Sequence, residues 1–98
     1  MNIPLILRDE AEHDAEETRN YYDRQQAGLG DRFLARLNEA LARIQAMPKA
    51  YGIIGKNVRI KKLSTFPYVV YYRLHFDRIE VMAILHGSRD SSAWKSRV

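Results

Sequence analysis

The sequence predicts an α+β domain: an N-terminal strand and an αα-hairpin packed on an antiparallel β-sheet, closed by a short C-terminal helical turn. Three observations carry that expectation. Residues 10–47 hold two apolar stripes at intervals of three and four, interrupted at Gly28 and Gly30, as two amphipathic helices joined by a turn would. Residues 58–85 hold three branched and aromatic runs separated by turn residues, the pattern of a meander. Ninety-eight residues make one domain, 1–98, near the lower end of the size at which a single core sustains itself.

The elements follow in order. Residues 3–8 are apolar and branched, with Pro4 where an edge strand can spare a donor. Asp9 and Glu12 have the spacing of a capping box, which would start a helix near Glu10. Its core stripe is Ala11, Ala15, Thr18 and Tyr22, and the Gly28-Leu29-Gly30 turn ends it. Asp31 is placed to cap a second helix with a stripe of Phe33, Leu37, Leu41, Ile44 and Met47, widened by Leu34 and Ala40 and stopped by Pro48. Tyr21, Tyr22, Phe33 and Leu37 are expected to meet near the turn between the helices. Residues 49–57, with two glycines and no period, read as a mobile loop.

The strands are residues 58–63, 68–74 and 79–85. In the first, Arg59 and Lys61 share a face opposite Val58 and Ile60, and Lys62-Leu63 breaks the alternation as a bulge would. In the last, Ile79, Val81, Ala83 and Leu85 take one face and Glu80, Met82, Ile84 and His86 the other, so neither face is fully polar and the strand is central. Gly87 to Trp94 then reads as a clasp, in which Asp90 or Ser91 caps a turn carrying Ala93, Trp94 and Arg97, and Trp94 folds back over the sheet.

The chain contains no cysteine, so neither disulfides nor a thiolate zinc site reinforce it, and a reducing cytoplasm is the expected compartment. No apolar run reaches the roughly 20 residues that span a bilayer, and the start turns acidic too early for a signal peptide. The net charge is +4, unevenly placed. Residues 1–50 hold seven Lys/Arg against nine Asp/Glu, and residues 51–98 hold nine against three, so the halves stand at −2 and +6. A basic C-terminal half suits an anionic partner, either nucleic acid or an acidic protein segment, or else a solvated lysine face.

Candidate chemistry is sparse. His13, Asp14, Glu16 and Glu17 cluster on the first helix without an HExxH or CxxC frame, and a solvated face is the expected reading. No phosphate-binding glycine motif is completed at Gly28 and Gly30. No cofactor and no metal are expected. Serines 88, 91 and 92 follow a glycine and read as turn and cap residues rather than nucleophiles. His86, at a strand end, either bonds locally or titrates near neutral pH. Arg89 either pairs with Asp90 or an early-helix carboxylate, or offers its five donors to a phosphate. Arg59, Lys61, Arg73 and Arg89 would line a concave sheet able to hold a nucleic-acid backbone, with Tyr71 and Tyr72 as stacking surface or as cross-strand packing.

Taken together, an acidic first helix with Ala11, Asp14, Ala15 and Tyr21-Tyr22, the G28-L-G-D-R-F33 turn, Ile44 with Met47-Pro48, Val58-Arg59, Phe66-Pro67-Tyr68-Val-Val-Tyr71, and His86 with Arg89 resemble the RelE/ParE superfamily of bacterial toxins. The resemblance runs almost end to end. It implies a growth-arresting toxin of a type II toxin–antitoxin system, held in check by a cognate antitoxin that wraps it with a helix and an extended tail. The RelE branch cleaves mRNA on the ribosome, whereas the ParE branch acts on DNA gyrase.

RelE-type cleavage needs cations to steady a phosphate and a residue that moves protons, often a late tyrosine. Here the cations are Arg59, Lys61, Lys62, Arg73 and Arg89, the proton carrier is His86 alone, and Trp94 stands where the tyrosine is wanted. Glu80 is expected to face water on the hairpin. The ParE branch is therefore favoured, without enzymatic activity and with DNA gyrase as target. The alternatives are an mRNA endoribonuclease with His86, Arg89 and Arg73 as catalytic candidates, and a non-toxic antitoxin-binding module. Arg59, Lys61, Lys62, Arg73, His86, Arg89 and Trp94 are the expected target or antitoxin contacts.

Overall fold

A computed structural model describes residues 3–90 and 92–98. In chain order these form β1 (Leu5–Leu7), α1 (Asp9–Gln25), α2 (Leu29–Ala46), β2 (Ile53–Gly55), β3 (Val58–Lys62), β4 (Tyr68–Leu74), β5 (Ile79–His86) and a 3-10 helix (Ala93–Arg97). The five strands lie in the order β1-β5-β4-β3-β2. β2 to β5 are antiparallel neighbours, but β1 joins β5 in parallel, Leu5 opposite Ile79 and Leu7 opposite Val81. The sheet is thus mixed rather than wholly antiparallel. A helical hairpin and three strands separate β1 from β5, so no tight turn dictates their relative direction.

The helices cover one sheet face. Ala11, Phe33, Leu37, Ala40 and Ile44 pack there against Leu63, Tyr68, Val70, Tyr72, Ile79, Val81 and Ile84. Tyr22 lies with its ring 5.8 Å from Phe33, and the exposed Tyr21 meets Tyr22 edge-on at 5.3 Å. The opposite face has a second core of Val58, Val69, Tyr71, Met82, Ala83, Leu85 and Trp94. Trp94 stacks on Tyr71 at 6.2 Å, folding the 3-10 helix back as a cover.

A bulge in β5 divides these cores. Tyr71 pairs with Ala83 but Tyr72 pairs with Val81, leaving Met82 as an extra residue. The alternation expected for the strand therefore slips by one: Ile79, Val81 and Ile84 face the helices, and Met82, Ala83 and Leu85 face Trp94. An unbroken period of two cannot carry Val81 and Ile84 to the same face, and the extra residue does.

Several local expectations change with the backbone. Asp9 lies inside α1, and Arg8 occupies its N-cap while its N–H donates to Val81 O (3.0 Å), so sheet pairing rather than a side chain sets the helix start. α1 ends at Gln25, short of the glycines. α2 starts on Gly28, left-handed at φ 87°, with Asp31 in its first turn favouring the positive helix end rather than capping it. Met47 is 64% exposed because the helix stops at Ala46 and Met47, its C-cap, leaves the helical period. Residues 49–57 are not all loop, since Ile53–Gly55 adds the edge strand β2 through a turn with Lys56 and Asn57 both at positive φ.

Gly30 sets how closely the helices approach. A Cβ there would lie 2.5 Å from the Arg19 carbonyl oxygen and 2.7 Å from the Asp23 carboxylate, which already accepts the Gly30 N–H at 2.8 Å. Gly30→Ala is expected to destabilise the fold by about 1–3 kcal/mol through overpacking, read as a lower urea midpoint. Gly52→Ala, with open space around the new methyl, should leave the midpoint nearly unchanged.

Candidate interaction site

The turn after β5 is built from its own polar groups. His86 Nδ1 accepts the N–H groups of Ser88 (3.2 Å) and Arg89 (3.1 Å), and Ser88 Oγ lies 3.2 Å from it. Asp90 accepts the His86 N–H at 3.3 Å and donates its own N–H to His86 O at 3.0 Å. The neutral imidazole therefore carries its proton on Nε2, and the ring stands edge-on to Tyr68 at 5.4 Å. Asp90 closes this turn instead of capping the 3-10 helix, whose N-cap residue Ser92 makes no side-chain capping bond. Ser91, the alternative cap, lies outside the described residues.

Arg89 takes neither acidic partner expected for it. Its side chain is exposed and, among the described residues, makes no ion pair. It borders a cleft of about 310 Å³ between α1 and the end of β5, alongside Asp14, Glu17, Thr18, Tyr21 and Tyr68.

The early-helix carboxylate goes to a different arginine. Asp14, buried, binds Arg97 through both oxygens, at 2.5 and 3.1 Å, and its Oδ2 also accepts the Ile84 N–H at 3.0 Å. Arg97 Nη1 reaches Met82 O at 3.2 Å as well. Hydrogen bonding to Asp14 holds the Arg97 guanidinium above its ordinary range, against the opposing effect of burial. Asp14 is thus not part of a solvated face. The sequence signal was its place between Ala11 and Thr18 on the buried stripe, where a carboxylate requires a partner.

Glu80 is likewise not water-facing. It lies between Arg8 Nε at 2.7 Å and His75 Nε2 at 2.9 Å, and Arg8 Nη1 continues to Arg97 O at 2.5 Å. Burial pushes the Glu80 carboxyl up, but the hydrogen bonds from His75 and Arg8 outweigh it and hold the group below the usual carboxylate range.

The cations of β3 and β4 alternate across the sheet. Arg59 pairs with Tyr72 and Lys61 with Val70 on the helix side, whereas Lys62 pairs with Val69, and Arg73 with Val58, on the other. Arg59 Nη1 donates to the carbonyls of Tyr51 (2.6 Å) and Lys49 (3.3 Å), Lys61 Nζ lies 5.1 Å from the Tyr51 ring centroid, and Arg73 donates twice to Lys56 O. These partners fix the side chains without neutralising them. Arg73 and His86 sit at opposite ends of the β4–β5 ladder, five β4 positions apart, or about 16 Å along the strand. His86 and Arg89 are neighbours in one turn; Arg73 does not join them. Lys62 and Trp94 both line a groove of about 480 Å³ that also includes Ile54, Ile60, Gly87 and Ser88.

Tyr71 and Tyr72 are core rather than stacking surface. Tyr72 OH donates to Pro48 O at 2.7 Å, and burial pushes its hydroxyl up to about 12. Among the described residues, no group of histidines and carboxylates is arranged to hold a metal, and no helix is long and apolar enough to cross a membrane.

Comparison with known proteins places this geometry. Residues 5–91 match the family model described as the ParE toxin of type II toxin–antitoxin systems, parDE. No curated protein matches. Among solved structures, the chain is similar to one from the chromosomal ParDE toxin–antitoxin system of P. aeruginosa, with 17% identity, TM-score 0.73, and 86% of this chain and 95% of that one covered. It is similar also to a mutant of the E. coli toxin RelE in the free state, with 16% identity, TM-score 0.70, and coverages of 99% and 94%. At these identities the two likenesses concern the fold.

Two outcomes are expected from the ion pairs. Asp14→Asn should cost about 3 kcal/mol, the loss associated with breaking a buried pair from one side, measured by urea unfolding at neutral pH. Glu80, depressed in the folded state, stabilises above the ordinary carboxylate pKa of about 4.3, and that contribution disappears as pH falls through the depressed value. Urea midpoints measured from pH 7 to pH 3 should therefore fall more steeply for the wild-type chain than for Glu80→Gln.

Proposed function

Because the chain belongs to the ParE toxin family of type II toxin–antitoxin systems, we propose that it arrests growth by inhibiting DNA gyrase and is neutralised by a cognate antitoxin in the cytoplasm. The observation that carries the gyrase reading is the use to which the fold puts His86. Its Nδ1 is occupied in holding the turn that presents Arg89, leaving Nε2 alone for proton transfer. The groups a nuclease would enlist around it are missing or engaged elsewhere: Trp94, packed on Tyr71, stands in place of the late tyrosine, Glu80 is held by Arg8 and His75, and Arg73 lies at the far end of the ladder. Such a site is suited to contact rather than to chemistry. Arg89, exposed and outside any ion pair among the described residues, is the target-facing group in this reading.

The antitoxin contact fits the helix-free face. There Lys62 and Trp94 flank an apolar groove, and the neighbouring edge strand β2 exposes Ile53 and Ile54. An extended acidic tail could add to that edge through backbone hydrogen bonds while its carboxylates meet Lys62 and Arg73 on the same face. Electrostatic complementarity of this kind sets association rate and partner choice more than raw affinity.

Induced expression in a bacterial host tests the target. Growth arrest with SOS induction, intact mRNA and inhibition of purified gyrase is expected, with Arg89→Ala relieving the arrest while its circular dichroism spectrum remains wild-type. Codon-phased mRNA cuts without SOS induction would instead assign ribosome-dependent cleavage, and harmless expression would leave only an antitoxin-binding module. For the antitoxin, Lys62→Glu is expected to weaken binding about tenfold, or roughly 1.4 kcal/mol, by calorimetric titration.

A further inference from the structure

The end of the molecule away from the His86 turn carries a surface that the reading above does not use. Phe76, at the tip of the β4–β5 hairpin, is 96% exposed. The hairpin does not require an aromatic there, since His75 N–H donates to Arg78 O at 2.8 Å and Arg78 pairs with Asp77 at 3.0 Å. Beside the tip opens a groove of about 720 Å³, lined mainly by Ile3, Met47, Pro48 and Leu74 and bordered by Phe76 itself and by Lys49. Met47, displaced from the helical period, leaves 64% of its surface open to this side.

We propose that this patch binds a second copy of the chain across a two-fold axis, each copy placing Phe76 in the other's groove. An isologous contact requires a surface complementary to itself, and here an aromatic projection and an apolar recess lie next to one another on one patch. The charges agree with the same symmetry. Asp77, whose Oδ1 holds the adjacent Arg78 in an exposed pair, stands beside the projection and Lys49 on the wall of the recess, so exchange of the two tips lets Lys49 of each copy compete for Asp77 of the other. Burying a phenyl ring removes about 150–250 Å² from water, and two such rings with their surrounds make an interface at the small, transient end of the range. The dimer is therefore weak and transient, forming at high local concentration.

Sedimentation velocity of the purified chain across about 10 to 500 µM, the range in which a weak contact becomes populated, tests this. A concentration-dependent shift from monomer to dimer is expected, weakened at least tenfold in Phe76→Ser and unchanged in Ile53→Ser, which alters an exposed apolar residue elsewhere. Lys49→Glu and Asp77→Lys should each weaken the dimer, and the double variant should restore it. Circular dichroism confirms that the surface variants fold. A monomer at every concentration overturns the proposal, as does a dimer that survives Phe76→Ser or fails to respond to the charge exchange.

Discussion

β5 is flanked by strands on both sides only as far as Val81. Beyond that residue β1 has ended, and the outer edge of the strand would present backbone groups to the base of α1 with no partner. Buried backbone donors and acceptors left unpaired cost about 1–3 kcal/mol each. Asp14 and Arg97 fill the missing place, one accepting the Ile84 N–H and the other donating to Met82 O, while binding each other. One ion pair therefore substitutes for a stretch of strand, ties α1 to the 3-10 helix, and holds Trp94 over the second core. The Met82 bulge belongs to the same arrangement, because it turns both backbone groups toward that edge while dividing the apolar side chains between two cores.

The other polar clusters show a similar economy. Arg8 bridges Glu80 and the Arg97 carbonyl, so the entry to α1, the β5 strand and the C-terminal turn are fastened at one place. His86 and Asp90 are spent on closing their own turn. Among the cations left available for a partner are those held by carbonyls or by a ring, Arg59, Lys61 and Arg73, together with Lys62 and the exposed Arg89. A chain of this size divides its polar residues between building and binding, and the hydrogen-bond partners show which task each performs.

Much of the architecture was legible in the sequence because it rests on local periodicity. The Phe33, Leu37 and Ile44 stripe, the three runs of the meander and the returning Trp94 each follow from spacing alone. Features that depend on distant partners were not legible. The parallel pairing of β1 is decided across more than seventy residues, and the fate of Asp14 depends on an arginine 83 positions away. The bulge was hidden because Ala83 and Ile84 are both apolar, so a one-residue slip leaves the hydrophobic pattern intact. At the candidate site, the sequence indicated which cations stand on β3 and β4, and Arg59 and Lys61 do share a face. It did not indicate that Arg73 lies remote from His86, since residues distant along a strand pair can look adjacent in a list of basic positions.

The 83-residue span of the Asp14–Arg97 pair also bears on how the chain acquires its shape during synthesis. The helical hairpin leaves the ribosome before the meander, with Phe33, Leu37 and Ile44 uncovered until β4 and β5 follow. Even a completed sheet lacks its edge closure until Arg97 has emerged. Contacts of such long range are made late, after most loop-closure entropy has been lost. For much of its translation the nascent polypeptide is therefore an adhesive and incomplete object, whose β5 edge stays open until Arg97 can reach Asp14.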